Sequence, residues 1–398
     1  MTILVADTLS PDALRHLREA GHDVIENAGL AGDMLTDALR EHTPAVLVVR
    51  STKVSAVALD ASPTLELIVR AGAGVDTIDV TGASERGVFV ANCPGKNAAA
   101  VAELAFGLIL ALDRRIPDNV IAARDGAWDK KGFSKSSGLR GRTLGLVGLG
   151  NIGQEMAERA RAFGMPVLAW SRSLTDETAR KLGITRAATP TEVASGADVV
   201  SVHVASTPAT RHLIGGPFVS AMRDGAALIN TSRADVVDED AIAKDVSSGR
   251  IRYATDVPTG EPSAKTGPFQ HPLAADAYIT HHIGASTSEA SEAIGREAVR
   301  VILTYAETGQ VENGVNLAEQ TPATHLLTVR HLDRVGVLAG VLGEAREAGW
   351  NVQEMENLIF EGAEAACARI RFDGDPDEAT LDRIRSVEHV LNATAIAL

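Results

Sequence analysis

The sequence predicts an α/β protein with two parallel-sheet domains and a small α+β domain at the C-terminal end. Three observations carry this reading. Short β-rich runs alternate with amphipathic helical stretches over most of the chain, the alternation that builds a parallel sheet covered by helices. A glycine-rich turn, Gly148-Leu149-Gly150-Asn151-Ile152-Gly153, sits between a strand-like run and a helical one. Beyond residue 325 the pattern changes to βαββαβ within roughly 73 residues, enough for a module that folds alone.

Ile3–Ala6, Asp23–Ile25, Ala45–Val49 and Leu67–Arg70 read as strands, with a helix over Pro11–Ala20. Cys93-Pro94-Gly95 marks a turn, after which Ala98–Asp113 is an Ala/Leu-rich helix. A second series follows, with strands at Thr143–Val147, Pro166–Trp170, Val199–Val202, Ala227–Asn230, Tyr253–Asp256 and Tyr278–Thr280. Pro258–Pro272 is a Pro/Gly-rich surface loop, the kind of segment that carries function. A helix over Ser288–Gly309 carries the chain onward, and Gly314–Pro322 reads as a linker. The last module comprises strands His325–His331, Asn351–Leu358, Glu364–Phe372 and Val390–Ala397, with helices Val337–Ala348 and Pro376–Ser386. The expected domains are 1–97 plus 284–316, then 98–283, then 326–398 after a linker over 317–325.

With 398 residues the chain is too long for one ordinary core. Its 38 Lys plus Arg against 52 Asp plus Glu give a net charge of −14, which argues against nucleic acid as a partner. Cys93 and Cys367, far apart, make neither a disulfide framework nor a metal cluster. No metal is expected. The sequence starts directly with the strand-like run Ile3–Ala6 and lacks the basic and then apolar regions of a signal peptide, and no apolar run reaches about 20 residues. The expectation is a cytoplasmic protein with no membrane partner.

In the glycine turn, Gly148 permits the tight bend, Gly150 lets a pyrophosphate approach the backbone, and Gly153 allows close helix–sheet packing. Asn151 and Ile152 open the following helix, whose free N–H groups favour phosphate. The chain thus reads as two Rossmann-like parallel-sheet domains, the second binding a dinucleotide. Where an acidic residue would hold the NAD ribose, the chain has Ser171-Arg172. This removes the repulsion of a 2′-phosphate and offers a cation, so NAD and NADP both stay open.

Several segments carry a family resemblance: Val69-Arg70-Ala71-Gly72-Ala73-Gly74-Val75-Asp76, the glycine turn, Asn230-Thr231-Ser232-Arg233, Asp256 to Pro262, and His282-Ile283-Gly284. Together they resemble the D-isomer-specific 2-hydroxy-acid dehydrogenases over nearly the whole chain, and within them the phosphoglycerate-oxidising members with a C-terminal ACT domain. The resemblance implies that Arg233 holds the substrate carboxylate and polarises the C2 oxygen, that His282 exchanges the hydroxyl proton, and that Glu261 orients the imidazole. The residue types suit these tasks: a guanidinium pairs bidentately with carboxylate, and an imidazole titrates near neutrality. His281 stands where the family has Pro. The resemblance further implies that Asp256 receives the nicotinamide carboxamide, that Thr207 and Thr210 lie near the adenosine, and that Thr231 and Ser232 line the cofactor cleft. Ala73, Gly74 and Val75 would offer amides to the substrate carboxylate.

Val49-Arg50-Ser51-Thr52-Lys53 resembles the segment that meets the substrate phosphate in phosphoglycerate dehydrogenases. Arg50 is the main candidate, with Ser51, Lys53 and Arg70 as helpers. Asn97 is similar to a substrate-contacting Asn, and the preceding Lys96 either adds positive field or is solvated. The implied reaction converts 3-phospho-D-glycerate to 3-phosphooxypyruvate, opening the phosphorylated route to L-serine. The alternative is another reductase, for glyoxylate or hydroxypyruvate. A catalytically silent dinucleotide sensor is a third reading, opposed by the intact Arg233, Glu261 and His282. His331-Leu332-Asp333 and Asn351 resemble the effector segments of ACT domains, with Asp333 in place of an Asn. L-serine as effector and a purely structural module both stay open. Self-association as dimer or tetramer is expected from the family.

Overall fold

A computed structural model describes residues 1–262 and 266–398. The chain divides into two compact units, Met1–Asn316 and Leu317–Leu398. The first unit holds two parallel sheets. Strands β1 (Thr2–Val5), β2 (Asp23–Glu26), β3 (Val46–Val49), β4 (Leu67–Arg70) and β5 (Phe89–Asn92) form one sheet in the order β2-β1-β3-β4-β5. Strands β6 (Leu144–Val147), β7 (Val167–Trp170), β8 (Thr185–Arg186), β9 (Val199–Val202), β10 (Ala227–Asn230), β11 (Arg252–Thr255) and β12 (Ala277–Ile279) form the other, in the order β12-β11-β10-β9-β6-β7-β8. The chain direction of winding reverses between β6 and β9, the switch point at which such sheets bind dinucleotides.

The apolar pattern explains why these strands are internal. Val46–Val49, Leu144–Val147, Val199–Val202 and Ala227–Asn230 are buried at every position, as parallel strands covered on both faces must be. Helix Ala98–Arg114 packs Ala105, Phe106 and Ile109 against the second sheet with Leu144 and Leu146. Helix Ser288–Thr308 returns to the first sheet, setting Ile294, Ala298, Val301 and Ile302 against Ile3, Val5 and Leu17. A further segment also belongs there: Val315 N–H donates to Val90 O and Asn316 Oδ1 accepts from Val90 N–H. Gly314–Asn316 is therefore paired structure and not part of a linker.

The second unit is an antiparallel sheet of β13 (His325–Leu332), β14 (Asn351–Ile359), β15 (Ala365–Asp373) and β16 (Val390–Ala397), ordered β14-β15-β13-β16. Helices Val337–Glu347 and Glu378–Arg385 complete a βαββαβ chain path. Its core gathers Leu327, Val329, Val341, Trp350, Ile370, Phe372 and Ile384. Among the described residues no helix is long and apolar enough to cross a membrane.

Candidate active site

The glycine turn has the geometry that a pyrophosphate cradle needs. Gly148 has φ +102°, and a Cβ there would lie 2.6 Å from the His203 carbonyl. A Cβ on Gly153 would lie 2.4 Å from the Gly148 carbonyl, whereas Gly150 faces open space. Helix Asn151–Ala162 begins at Gly150 with no side-chain cap, so its first N–H groups are left for an anion. Thr231 Oγ1 is buried without a partner among the described residues. These features fit a dinucleotide. Ser171 and the exposed Arg172 follow β7. The Asn151 side chain packs beside Gly95, on the loop leading out of the first sheet.

Other expected cofactor contacts have different immediate duties. Ser232 gives its N–H and Oγ–H to Asn230 Oδ1 at 3.0 and 2.9 Å. Thr210 donates to Ala205 O at 2.6 Å and accepts from Thr207 N–H at 2.8 Å. Ser232, Thr207 and Thr210 thus build the loops that follow β10 and β9. Asp256, 2% exposed, accepts from Thr280 Oγ1, Ile283 N–H and Gly284 N–H. Its carboxylate anchors the segment carrying His282, with one of the three bonds on Oδ2 and two on Oδ1.

That segment is held in an uncommon conformation. His282 has φ +52° and donates its N–H to Asp256 O. Its Nδ1 lies 2.8 Å from Glu261 Oε2, and both side chains are nearly half exposed. A proton on Nδ1 shared with Glu261 leaves Nε2 to face a substrate. His282, not His281, therefore holds the carboxylate partner. Glu261, His281 and His282 line a cavity of about 710 Å³ together with Lys53 and Asp7 from the first sheet's loops.

Three guanidinium groups lie close enough for the charges of two of them, Arg233 and Arg50, to be felt at the third, Arg70. Arg70 lies over Gly72, with Nη1 1.7 Å from where a Cβ would stand, and its Nε is buried without a partner. Burial first, then the charges of Arg233 and Arg50, hold the Arg70 guanidinium below its ordinary range, while Asp76 acts against them. Arg233 crosses from β10 to the first sheet: Nε donates to Asp76 Oδ2 at 2.8 Å, and Nη1 donates to Ser232 O. Its Nη2 lies over Gly74. The turn beneath is fixed by Asn92 Nδ2, which donates to Ala73 O at 2.6 Å. The amides of Ala73, Gly74 and Val75 donate to no group among the described residues, which suits an anion nest.

Arg50 donates from Nη2 to Ala285 O at 3.4 Å. Its loop is organised by Asp7, a residue the sequence did not single out. Asp7 Oδ2 accepts the N–H groups of Arg50, Ser51 and Thr52, and Oδ1 accepts Ser51 Oγ–H. Burial raises the Asp7 pKa, but those donors outweigh it and leave the carboxyl below its ordinary value. Ser51 is thus a fixture of the loop before it is a phosphate ligand. Lys96 is neither free nor merely solvated; its Nζ sits 3.3 Å from the nearly buried Glu297. Asn97 stands at the N-cap of helix Ala98–Arg114 without a side-chain capping bond.

The expected effector residues do not meet within one chain. His331 is 1% exposed and bonded to Leu332 O and Asn357 Oδ1. Asn351 pairs with Asp373, whereas His331 pairs with Ala366, so they lie toward opposite ends of the sheet. Asp333 follows the end of β13, its N–H donating to Glu364 O. One copy therefore cannot line an effector pocket with all three.

The doubly wound sheet, its glycine turn and the carboxylate-backed histidine define a dinucleotide-binding protein of the oxidoreductase class. Comparison with known proteins specifies the family. Residues 106–284 match the D-isomer specific 2-hydroxyacid dehydrogenase, NAD binding domain. The chain is 39% identical over 318 residues to D-3-phosphoglycerate dehydrogenase of Methanocaldococcus jannaschii, covering 79% of this chain and 59% of that protein. It is 41% identical over 262 residues to hydroxypyruvate reductase of Thermotoga maritima, covering 65% of this chain and 83% of that protein. The solved TT0316 protein of Thermus thermophilus superimposes with a TM-score of 0.70 at 34% identity, covering 79% of this chain and all of that one. The chain belongs to the D-isomer specific 2-hydroxyacid dehydrogenase family, and it spans about three fifths of the length of the Methanocaldococcus relative.

Proposed function

We propose that the chain oxidises 3-phospho-D-glycerate to 3-phosphooxypyruvate with NAD or NADP, the first step of the phosphorylated route to L-serine. The observation that carries this reading is that Arg70 and Arg233 both stand over one anion-favouring turn, with the charge of Arg50 felt at Arg70. A substrate with a carboxylate and a phosphate supplies the negative charge that three neighbouring guanidiniums require. The bound nicotinamide supplies the hydride acceptor at C2. Arg233 Nη2 and the amides of Ala73, Gly74 and Val75 hold the substrate carboxylate and orient C2. His282 Nε2 takes the hydroxyl proton as the C2–H bond breaks, leaving a ketone. Glu261 stabilises the resulting imidazolium.

The alternative, reduction of hydroxypyruvate or glyoxylate, draws support from the Thermotoga relative and from Asp7, whose carboxylate already takes the amides of residues 50–52. Arg172 forms no salt bridge among the described residues, which supports NADP use beside NAD. We assign residues 1–97 with 284–316 to substrate binding, 98–283 to the dinucleotide, and 326–398 to an ACT-type module. Self-association is supported by the exposed Ile121 and Trp128 and by Met355, Leu358 and Ile359 on the edge strand β14. An L-serine site using His331, Asp333 and Asn351 would need two copies of the module. A reducing, cytoplasmic setting suits the free Cys93 and Cys367. Steady-state reduction of 3-phosphooxypyruvate, hydroxypyruvate and glyoxylate, each with NADH and NADPH, tests the reading. A large preference for the phosphorylated acid supports it; a preference for an unphosphorylated acid replaces it with the alternative.

A further inference from the structure

A second histidine–carboxylate pair lies beneath the loop that carries Glu261, and the reaction above does not use it. Glu239 opens helix Glu239–Ser247, directly after its cap Asp238. In that position an acidic residue ordinarily faces solvent and complements the helix dipole. Glu239 is instead 6% exposed, and His271 is 9% exposed. A buried carboxylate is costly unless its oxygens are well supplied with donors. Here Tyr253 Oη–H donates to Oε1 at 2.9 Å. On Oε2 converge Thr259 N–H at 3.1 Å, Thr259 Oγ1–H at 2.5 Å and His271 Nε2 at 3.0 Å. Leu273 N–H donates to His271 Nδ1 at 3.2 Å, which makes Nδ1 the acceptor and leaves the ring proton on Nε2 for Glu239. Helix and loop are thus matched in donor and acceptor sense throughout.

The placement of these donors gives the pair its meaning. Thr259 is near the start of the loop between β11 and β12, and His271 is near its end. One carboxylate oxygen ties the two ends together. Glu261 stands two residues beyond Thr259, and its Oε2 is the group 2.8 Å from His282 Nδ1. The His271 ring also stacks on Phe269 at 5.9 Å between centroids, and Phe269 lines the same cavity as Glu261 and His282.

We propose that Glu239, through Thr259 and His271, is the positioning residue that fixes Glu261 against His282. This rests on the reading of His282 and Glu261 as the proton-handling pair. Without the clasp the loop base opens, Glu261 shifts, and the imidazole loses its oriented partner. Misplacement by about 1 Å can cost about a hundredfold in rate.

The test is a double-mutant cycle on the full chain. His271→Phe keeps the ring stacked on Phe269 but removes both the donor and the acceptor; Glu261→Gln removes the carboxylate that the clasp serves. In the wild-type background His271→Phe lowers kcat by about tenfold to about a hundredfold, with KM for the reduced nicotinamide unchanged. In the Glu261→Gln background the same substitution has no further effect, because its target is gone. His271→Gln, which can donate and accept, recovers part of kcat. Independent, multiplicative losses in the two backgrounds overturn the proposal. If His271→Phe does not fold, Thr259→Val, which removes only the hydroxyl bond, enters the same cycle under the same criterion. His282→Ala tests the underlying reading separately: retained turnover there rejects the proton-handling assignment, whatever the cycle shows.

Discussion

Substituting Gly74 by Ala tests the assignment of Arg233 without touching the arginine. A Cβ at residue 74 would lie 2.1 Å from Arg233 Nη2, 2.9 Å from Asp76 Oδ2 and 3.3 Å from Arg233 Cζ. Gly74 is not among the glycines in the left-handed region, so alanine fits its backbone. The strain must be relieved by the far end of a side chain. To restore ordinary contact, at about 3.4 Å, the guanidinium edge retreats by more than about 1 Å, a displacement worth about a hundredfold in rate, or about 2.7 kcal/mol in barrier. The smaller backbone entropy of alanine in the unfolded chain, worth about 0.4–1 kcal/mol, offsets the loosening of the half-exposed Arg233–Asp76 contact, so the melting temperature should change little. The assay is kcat/KM for 3-phosphooxypyruvate, with thermal unfolding as the control. A variant that unfolds like wild type yet loses about a hundredfold supports the assignment. One with unchanged kcat/KM refutes it, because the guanidinium would have been moved from a position the reaction does not need.

Three other outcomes are expected. Burial pushes the His203 imidazole down to about 3, below its value of about 6.5 in the unfolded chain. The unfolded chain therefore binds the extra proton, and this group's contribution to stability is full above about pH 6.5 and falls by about 1.4 kcal/mol per pH unit toward about pH 3. Glu297, drawn down to about 2 chiefly by Arg300, adds a loss as pH falls from about 4.5 to 2. Urea unfolding at stepped pH should show a shallower acid slope in His203→Phe, and an unchanged slope would contradict the burial argument. Arg172→Asp should cut kcat/KM with NADPH by about tenfold or more while sparing NADH, since a carboxylate repels the 2′-phosphate; equal losses with both would dismiss the cofactor role. Trp128→Ser should weaken self-association in sedimentation, because its indole is 88% exposed in one chain; an unchanged distribution would move the interface elsewhere.

What the sequence made legible was local. The glycine turn, the alternation of strands and helices and the strand ends bearing Arg233 and His282 are fixed by short-range patterns. Two strands lack a sequence signal: Thr185–Arg186 is two exposed residues, and Phe89–Asn92 runs straight into the Cys93-Pro94-Gly95 turn. The missed groups depend on long-range partners. Asp7 meets Arg50, Ser51 and Thr52 across more than forty residues of chain, and Glu239 meets His271 across 32. The anchoring duty of Asp256 was equally hidden, because its donors at Thr280, Ile283 and Gly284 come from the next strand and its exit. In each case residue type indicated chemistry, and tertiary contact decided which chemistry.

If Arg233, Glu261 and His282 support hydride transfer at C2 of a 2-hydroxy acid, the hydrogen delivered by the cofactor must appear at that carbon. The most direct measurement uses reduced nicotinamide cofactor carrying deuterium at the transferable position, with 3-phosphooxypyruvate as acceptor, and reads the product by NMR. Deuterium should be found bonded to C2 of 3-phospho-D-glycerate in the wild type, with almost none in His282→Ala. Cofactor binding without deuterium in any 2-hydroxy acid product would contradict it and leave a protein that senses the dinucleotide without turning it over.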